Sequence, residues 1–299
     1  MLSLKNYSKI IPMNIIRLTG GLGNQMFQYA LYLNFINKNI ECKFEDWTEY
    51  EGKSNARPIL LKEAFNITYP VATKEEYIEM TDSYMDFSHR ILRKIRGRKT
   101  REYCEQTNDF DSAILEKTDS YLTGYFQSEK YFDNIETTVR KSFTFTDAVN
   151  DKCMDLLSGH SEETKISLHI RRGDYLNIEN EFGNICTTEY YQNAVNYICS
   201  KVDNPLFLIF SNDIKWTKEW CDSNLSDSNY TVIDNSTEET GYLDMCLMSK
   251  CDHNIIANSS FSWWGAYLNN NPQKIVIAPP IWNHVTKQKD IYSSWMTVL

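Results

Sequence analysis

Two short segments of this sequence combine residue types that bind anions. Residues 169–175 read HIRRGDY and contain two adjacent arginines, while residues 258–265 read NSSFSWWG and place serines ahead of a helical stretch. A guanidinium holds phosphate oxygens in a forked geometry, and the hydroxyls and backbone N–H groups at a helix start also favour an anion. Both segments follow an extended apolar run, and in open α/β sheets ligands bind where strands give way to loops. Together they predict a site for a phosphorylated ligand.

The two arginines of the first segment are expected to differ in role. Successive side chains of a strand point to opposite faces, so at most one of Arg171 and Arg172 faces the ligand while the other pairs with an acid. Asp174 is the obvious internal partner. A structural ion-pair cluster is the alternative to a phosphate clamp, and the position of both arginines and a glycine at a strand end favours the clamp.

The second half of the chain has the pattern needed to position these segments. Strand-like and helical stretches alternate along it, which predicts βαβ units around a parallel sheet. The predicted strands cover residues 165–170, 205–210, 230–233, 253–257 and 274–278, and the predicted helices cover 189–202, 214–221 and 240–249.

The first half is regular only at its beginning. Residues 13–18 predict a strand, residues 20–25 (GGLGNQ) a glycine turn and residues 26–36 a helix. Gly21-x-Gly23 matches the start of a dinucleotide fingerprint, but Met26 occupies the third glycine position, and a tight turn explains the glycines equally well. No topology is predicted between residues 40 and 150.

The polar stretch at residues 150–164 predicts a boundary between two comparable α/β halves with a cleft between them. We place the N-terminal half at residues 1–155 and the C-terminal half at 156–299. The chain of 299 residues has 42% hydrophobic and 24% charged residues, as expected of a folded protein. Its net charge of -9 argues against a duplex-DNA or other nucleic-acid partner, which needs a broad basic surface. An anionic ligand must therefore meet locally concentrated positive charge.

The cysteines and the N-terminus predict a cytoplasmic protein. Eight cysteines are spread along the chain without a CxxC pair or a secretory leader, so reduced thiols are expected. No zinc-ligand spacing emerges, and Asp109-x-Asp111, which matches the spacing of some sugar-nucleotide metal sites, is better explained as a helix cap. We therefore expect no metal.

A basic run between residues 90 and 101 has two interpretations. It contains Arg90, Arg93, Lys94, Arg96, Arg98, Lys99 and Arg101. A solvated helix face is the first interpretation, and a peripheral contact with anionic lipid headgroups at the inner face of a membrane is the second.

Four segments resemble, in order, the motifs of glycosyltransferase family 11, the α-1,2-fucosyltransferases of bacterial type. They are GGLGNQMFQYA at 20–30, GYFQSEKYF at 124–132, HIRRGDY at 169–175 and IIANSSFSWWGA at 255–266. The resemblance implies a GT-B-like α/β fold of two Rossmann-like halves with a cleft between them. The N-terminal half would bear the Gly-rich loop on the acceptor side, and the C-terminal half would bind GDP-fucose.

The resemblance also implies roles for individual residues. Arg171 would contact the diphosphate and stabilise the leaving group, and Asn24 would lie beside the reacting centre. Donor-binding residues would be Gly21, Gly23, His169, Arg171, Asp244, Asn258, Ser259 and Ser260. His169 and Asp244 would contact the nucleoside and Ser260 a phosphate.

The implied reaction is metal-independent and inverting, from GDP-β-L-fucose to the 2-hydroxyl of a terminal β-galactoside, such as a lactose-type or lipid-linked oligosaccharide. Asn24 cannot be the general base because an amide has no usable basicity, and Asp174 is a candidate that pairing with an arginine would weaken. Another fucosyl linkage or acceptor, a non-catalytic carbohydrate-binding protein and an NAD-linked oxidoreductase are the alternatives.

Overall fold

The computed structural model describes residues 12–49, 57–160, 162–173, 181–286 and 288–299, which contain two parallel sheets. The strands of the smaller sheet are β1 (Met13–Arg17), β2 (Glu41–Glu45), β3 (Glu102–Cys104) and β4 (Tyr121–Thr123). Their order is β2-β1-β4-β3, and each neighbouring pair is parallel.

The larger sheet belongs to the second half of the chain. Its strands are β5 (Thr164–Ile170), β6 (Pro205–Ser211), β7 (Asn229–Ile233), β8 (His253–Ile255), β9 (Val276–Ala278) and β10 (Met296–Val298). Their order is β10-β9-β8-β5-β6-β7, again with parallel pairing throughout. Five of these strands lie where the sequence predicts them, within a few residues, because strands covered on both faces read as apolar runs.

Helices connect the strands and cover the sheets. In the first half they are α1 (Leu22–Asn37), α2 (Leu61–Phe65), α3 (Lys74–Thr81), α4 (Phe87–Arg96), α5 (Glu136–Ser142) and α6 (Asp147–Leu157). In the second half they are α7 (Thr188–Cys199), α8 (Ile214–Asn224), α9 (Tyr242–Lys250) and α10 (Ser260–Leu268). Side-chain caps begin several of them; the Asp213 carboxylate, for example, accepts the N–H of Trp216 at the start of α8.

The two sheets share one aromatic cluster. The ring of Phe27 on α1 lies 4.7 Å from that of Trp263 and 5.0 Å from that of Trp264, both on α10, while Phe132 stacks on Trp264. All four side chains are fully buried. The tryptophan pair is therefore a core anchor, and it joins the first half of the chain to the second.

Helix α6 also crosses between the two parts of the chain. The Sγ of Cys153 donates to the backbone oxygen of Leu243 on α9 at 3.6 Å. The predicted division between residues 155 and 156 therefore lies within a helix, and it stays a prediction.

Among the described residues, no helix combines the length and the apolar character that a membrane crossing requires.

Candidate active site

A cavity of about 710 Å³ lies at the carboxyl ends of strands from both sheets. Residues that follow β1 and β4 line one side, and residues that follow β5, β6 and β8 line the other. Its size is within the range of small-molecule sites. The predicted site residues that line it are Gly21, Gly23, Asn24, His169, Arg171, Asp244, Asn258, Ser259 and Ser260.

The two adjacent arginines follow the end of β5 at Ile170 and point in different directions. Arg171 lines the cavity. The guanidinium of Arg172 instead lies 3.8 Å from the ring centre of Trp216, and its Nε is 3.5 Å from an oxygen of Asp213. The acid that pairs with Arg172 thus comes from the segment after β6, and one arginine faces the ligand site.

His169, at the end of β5, is buried and neutral. Burial, and secondly the charge of Arg171, lower the pKa of its imidazole to about 3. The hydroxyl of Tyr191 donates to its backbone oxygen at 2.9 Å, and its Nδ1 has no hydrogen-bond partner among the described residues. At neutral pH the site therefore contains an uncharged imidazole beside a charged guanidinium.

Asp244, on α9, brings a carboxylate into the cavity lining. The Ser236 hydroxyl donates to its Oδ2 at 2.6 Å, while its Oδ1 is buried and accepts no hydrogen bond from a described residue. Burial raises the pKa of this carboxyl to about 6, against the lowering effect of the Ser236 hydrogen bond. A buried oxygen with unused capacity is suited to accept a hydrogen bond from a ligand.

Asn24 connects the two sides of the cavity. Its Oδ1 accepts the Nε2 of Gln127 at 2.8 Å and the hydroxyl of Ser260 at 2.7 Å. The side-chain oxygen of Gln127 in turn accepts the Nε2 of Gln288 at 3.0 Å. The Ser260 hydroxyl donates its hydrogen within this network. The phosphate contact expected of Ser260 must therefore come from another orientation of the hydroxyl or from the backbone N–H of the residue.

Gly21 and Gly23 of the first loop serve different purposes. A Cβ atom on Gly23 would lie 2.5 Å from the carbonyl carbon of Ser260 and 2.6 Å from the nitrogen of Phe261, so only glycine allows α1 to approach α10 this closely. Gly21 is the extended N-cap of α1, and a Cβ there would meet the flexible side chain of Arg57 at 3.3 Å.

Asn258 and Ser259 precede α10 and are both buried. The Asn258 side-chain amide donates to the backbone oxygens of Phe182 and Trp282, each at 3.2 Å, so it holds two loops of the cavity wall. Ser259 is the N-cap of α10, but its side chain makes no capping hydrogen bond and the first turn contains no acid. The N–H groups at this helix start are thus not capped by a side chain, and their predicted role in binding an anion stays a prediction.

Glu105, just after β3, supports the site without lining the cavity. Its Oε2 accepts the backbone N–H groups of Tyr125 at 2.8 Å and Phe126 at 3.2 Å, while burial raises the pKa of the carboxyl to about 7. Phe126 has a φ of 54°, so this carboxylate stabilises a strained loop next to Gln127. No pattern in the sequence marks Glu105 or Gln127 as part of the site, although Gln127 lies within the second family motif.

Two other predictions fall elsewhere. Asp174 lies outside the described residues. Asp111 accepts the N–H of Ala113, as expected of a cap, and Asp109 accepts the backbone N–H groups of Lys289 and Asp290 at 2.6 and 3.1 Å. No cluster of metal-ligating side chains occurs among the described residues.

Comparison with known proteins places this site in a family. The chain matches the description of glycosyl transferase family 11 over residues 2–298. The α-1,2-colitosyltransferase of Escherichia coli is 33% identical over 281 residues, covering 90% of this chain and 91% of that protein. The O-antigen biosynthesis glycosyltransferase WbnK of Escherichia coli is 31% identical, covering 94% and 99%. Galactoside α-(1,2)-fucosyltransferase 1 of Homo sapiens is 26% identical, covering 83% and 63%.

Solved structures share the fold at low identity. A mutant of Arabidopsis thaliana FUT1 in complex with GDP has a TM-score of 0.51 and 12% identity, covering 90% of this chain and 71% of that one. The fucosyltransferase NodZ from Bradyrhizobium has a TM-score of 0.50 and 10% identity, covering 85% and 91%. The predicted GT-B-like α/β fold is confirmed. The family match over nearly the whole chain, with relatives above 30% identity across nine tenths of it, shows that the protein belongs to glycosyl transferase family 11 and is a glycosyltransferase of the α-1,2-fucosyltransferase family.

Proposed function

We propose that the protein transfers L-fucose from GDP-β-L-fucose to the 2-hydroxyl of a terminal β-galactoside, with inversion at the anomeric carbon. The observation that carries this proposal is the meeting, in one cavity, of Arg171, the uncapped start of α10 and the Asn24 network. The cationic groups suit a diphosphate, and the neutral amides and hydroxyls suit a sugar.

Arg171 is the proposed stabiliser of the leaving group. When the bond from fucose C1 to the phosphate oxygen breaks, negative charge develops on GDP and the sugar becomes oxocarbenium-like. A fixed guanidinium that holds the diphosphate more strongly as this charge develops lowers the barrier. The first-turn N–H groups of α10 would act on the same charge.

Asp244 and His169 are the proposed nucleoside contacts. The unused Oδ1 of Asp244 could accept the hydrogens on guanine N1 and the 2-amino group, while the neutral imidazole of His169 offers a ring nitrogen without adding charge. Gly21, Gly23, Asn258 and Ser259 would shape the donor site mainly through the backbone.

Asn24 is proposed to orient the reacting sugars, and Asp174 to accept the acceptor proton. Glu181 is a described carboxylate of the cavity lining and is the natural competitor. Loss of the acidic limb of the pH–rate profile in Asp174→Asn, with retention in Glu181→Gln, would assign the base to Asp174.

The test of the reaction is release of GDP from GDP-fucose with lactose as acceptor, in the presence of EDTA. Acceptor-dependent release that survives chelation, disappears in Arg171→Ala and persists in Arg172→Ala would support the proposal. Linkage analysis of the product must place fucose on O2 of galactose, and any other position contradicts the proposed acceptor specificity. Donor binding by calorimetry distinguishes a wrong acceptor from a wrong donor.

A second candidate is transfer of a colitosyl group, favoured by the similarity to the α-1,2-colitosyltransferase. Colitose lacks the 3-hydroxyl of fucose, so the two donors test whether the site forms a hydrogen bond with that hydroxyl. A site that does so rejects the deoxy sugar by about 10⁴-fold or more in kcat/KM. A preference for GDP-colitose over GDP-fucose would establish the second candidate in place of the first.

The proposed setting is assembly of a glycan or lipid-linked oligosaccharide. The Escherichia coli relative WbnK is named as an O-antigen biosynthesis glycosyltransferase. Comparing a lipid-linked oligosaccharide with lactose as acceptor tests this setting.

A further inference from the structure

Helix α4 (Phe87–Arg96) has an apolar face that no described part of the fold covers. Not one of its residues is buried. Phe87 is 77% exposed and Ile95 78% exposed, with Ile91 between them and Met85 just before the helix, at 82%. Phe87, Ile91 and Ile95 are spaced four residues apart, so they form one stripe along the helix. Contiguous apolar surface of this kind marks an interaction site.

The opposite side of α4 attaches the helix to the protein and fixes its orientation. The two terminal nitrogens of Arg93 donate to the backbone oxygens of Asp82 and Tyr84 at 2.6 and 2.7 Å. His89 stacks on the ring of Tyr84, with 4.2 Å between ring centres, and its Nδ1 lies 2.7 Å from Asp86. At 100° per residue, His89 and Arg93 are on the far side of the helix from the apolar stripe. The stripe therefore faces away from the fold.

The charge around the stripe is opposite to that of the whole protein. Residues 87–101 contain seven lysines and arginines and no carboxylate, in a chain with a net charge of -9. Arg90 and Lys94 lie along one edge of the stripe, are exposed, and form no ion pair with any described residue. By contrast, Arg101 is held by Glu79 and Asp119. Two uncompensated cations thus border the apolar side chains.

We propose that α4 binds in the surface of an anionic lipid bilayer. Phe87, Ile91 and Ile95 insert at the boundary of headgroups and acyl chains, and Arg90 and Lys94 bind headgroup phosphates. A basic-edged apolar face is the pattern of helices that lie in a membrane surface. A second copy of the chain fits less well, because symmetric packing of this face would bring cations together without a carboxylate from residues 87–101 to pair with them.

This contact does not depend on the proposed reaction. Helix α4 leads into the amino end of β3, which begins at Glu102, whereas the cavity lies at the carboxyl ends of the strands. Variants of α4 should therefore keep their activity on a soluble acceptor. The same geometry leaves the cavity accessible while the helix is bound to a membrane.

The test is flotation of the full chain with vesicles of phosphatidylcholine alone or of equal parts phosphatidylcholine and phosphatidylglycerol. The wild type should float only with the anionic vesicles, and less so as salt increases. Phe87→Glu with Ile95→Glu should abolish flotation, while Arg90→Gln with Lys94→Gln should weaken partitioning roughly tenfold or more. Matched controls are Met154→Glu, at an exposed apolar position of α6, and Lys141→Gln with Lys152→Gln, at exposed lysines elsewhere. Circular dichroism checks that each variant folds.

Three outcomes would overturn the proposal. The first is a wild type that does not bind anionic vesicles, and the second is binding that the α4 variants leave unchanged. The third is a dimer, detected by light scattering, that Phe87→Glu with Ile95→Glu dissociates while vesicle binding is absent; the stripe would then be covered by a second copy. Loss of binding in both α4 variants, with retention in both controls, supports the proposal.

Discussion

Two helices begin at the cavity, and they differ in what they contribute. Neither α1 nor α10 has a side-chain cap or an acid in its first turn, so both present backbone N–H groups. Helix α10 starts beside Arg171 and His169, at the carboxyl end of the larger sheet. Helix α1 follows a glycine turn, and its polar side chain in the cavity lining is the neutral Asn24. At these two helix starts, the charged side chain therefore comes from the second half of the chain and the neutral amide from the first, while Arg57 of the first half also lines the cavity and pairs with Glu238.

The contact between the starts of α1 and α10 explains why the loop at the start of α1 contains the glycines. The start of α1 presses against the backbone of Ser260, and Gly23 is the residue that permits this contact. The Asn24–Ser260 hydrogen bond then fixes the two helix starts relative to each other. Substitution of the charged residue should thus slow the chemical step, whereas substitution of the neutral residues should disturb how the two helix starts are positioned.

Removal of the charged group should have the largest effect. Arg171→Ala should lower kcat by roughly 100-fold to 1000-fold or more, because a charge-stabilising donor is lost. Arg171→Lys should also fail, since an ammonium does not reproduce the forked geometry. The measurement is initial-rate GDP release. The matched control is Arg172→Ala, and an equal loss in that variant would show that the two arginines do not divide their roles.

Removal of the central amide should come next. Asn24→Ala leaves the Gln127 amide and the Ser260 hydroxyl without their acceptor, and the expected loss in kcat is about 10-fold to 100-fold. Asn24→Asp keeps an acceptor for both donors but adds a negative charge near the proposed diphosphate site. It should therefore raise the donor KM, which steady-state kinetics measures. A wild-type rate in Asn24→Ala would rule out the positioning role.

The glycine contact should produce a smaller change, mainly in stability. Gly23→Ala forces a Cβ against the α10 backbone and should lower the free energy of unfolding by about 1–3 kcal/mol, measured by denaturant titration. Gly21→Ala is the control, because its φ of -75° suits alanine and the side chain it meets can move. Equal destabilisation by both substitutions would contradict a special contact at Gly23.

The smallest predicted effect is one of pH on donor binding. The pKa of Asp244 is raised to about 6, so the carboxylate that would accept the guanine hydrogens becomes protonated as the pH falls through that value. The donor KM should rise about threefold to fivefold between roughly pH 7.5 and roughly pH 5.5. His169, whose pKa is about 3, stays neutral throughout this range. In Asp244→Asn the donor KM should become nearly independent of pH in this range. If the KM of this variant still rises as the pH falls, another group causes the pH dependence.

Sequence predicted the second half of the fold better than the first for a physical reason. Strands β5 and β6 are long, buried on both faces and visibly apolar, whereas β3 is Glu-Tyr-Cys, mostly exposed and three residues long. A strand of that kind is held by its pairing with β4, and its own residues give no periodic signal. The topology of residues 40–150 depended on such pairings and was therefore beyond sequence reasoning.

The candidate site shows the same limit. The expected division between the two arginines is seen in their positions, since Arg171 lines the cavity and Arg172 does not. The partners of Arg172 come from the segment after β6 and from α8, which only the tertiary fold brings near. Glu105 acts through two backbone N–H groups on a distant loop. No local pattern marks a single glutamate for that role.

The aromatic cluster that joins Phe27 and Phe132 to Trp263 and Trp264 limits how substrates enter and leave. Rotation of the two sheets about a hinge would separate closely packed, fully buried rings and open voids between them, which dense protein interiors resist. Residues 236–241 line the cavity and lie outside that aromatic cluster. Substrate exchange should therefore depend on loop movement around a rigid base.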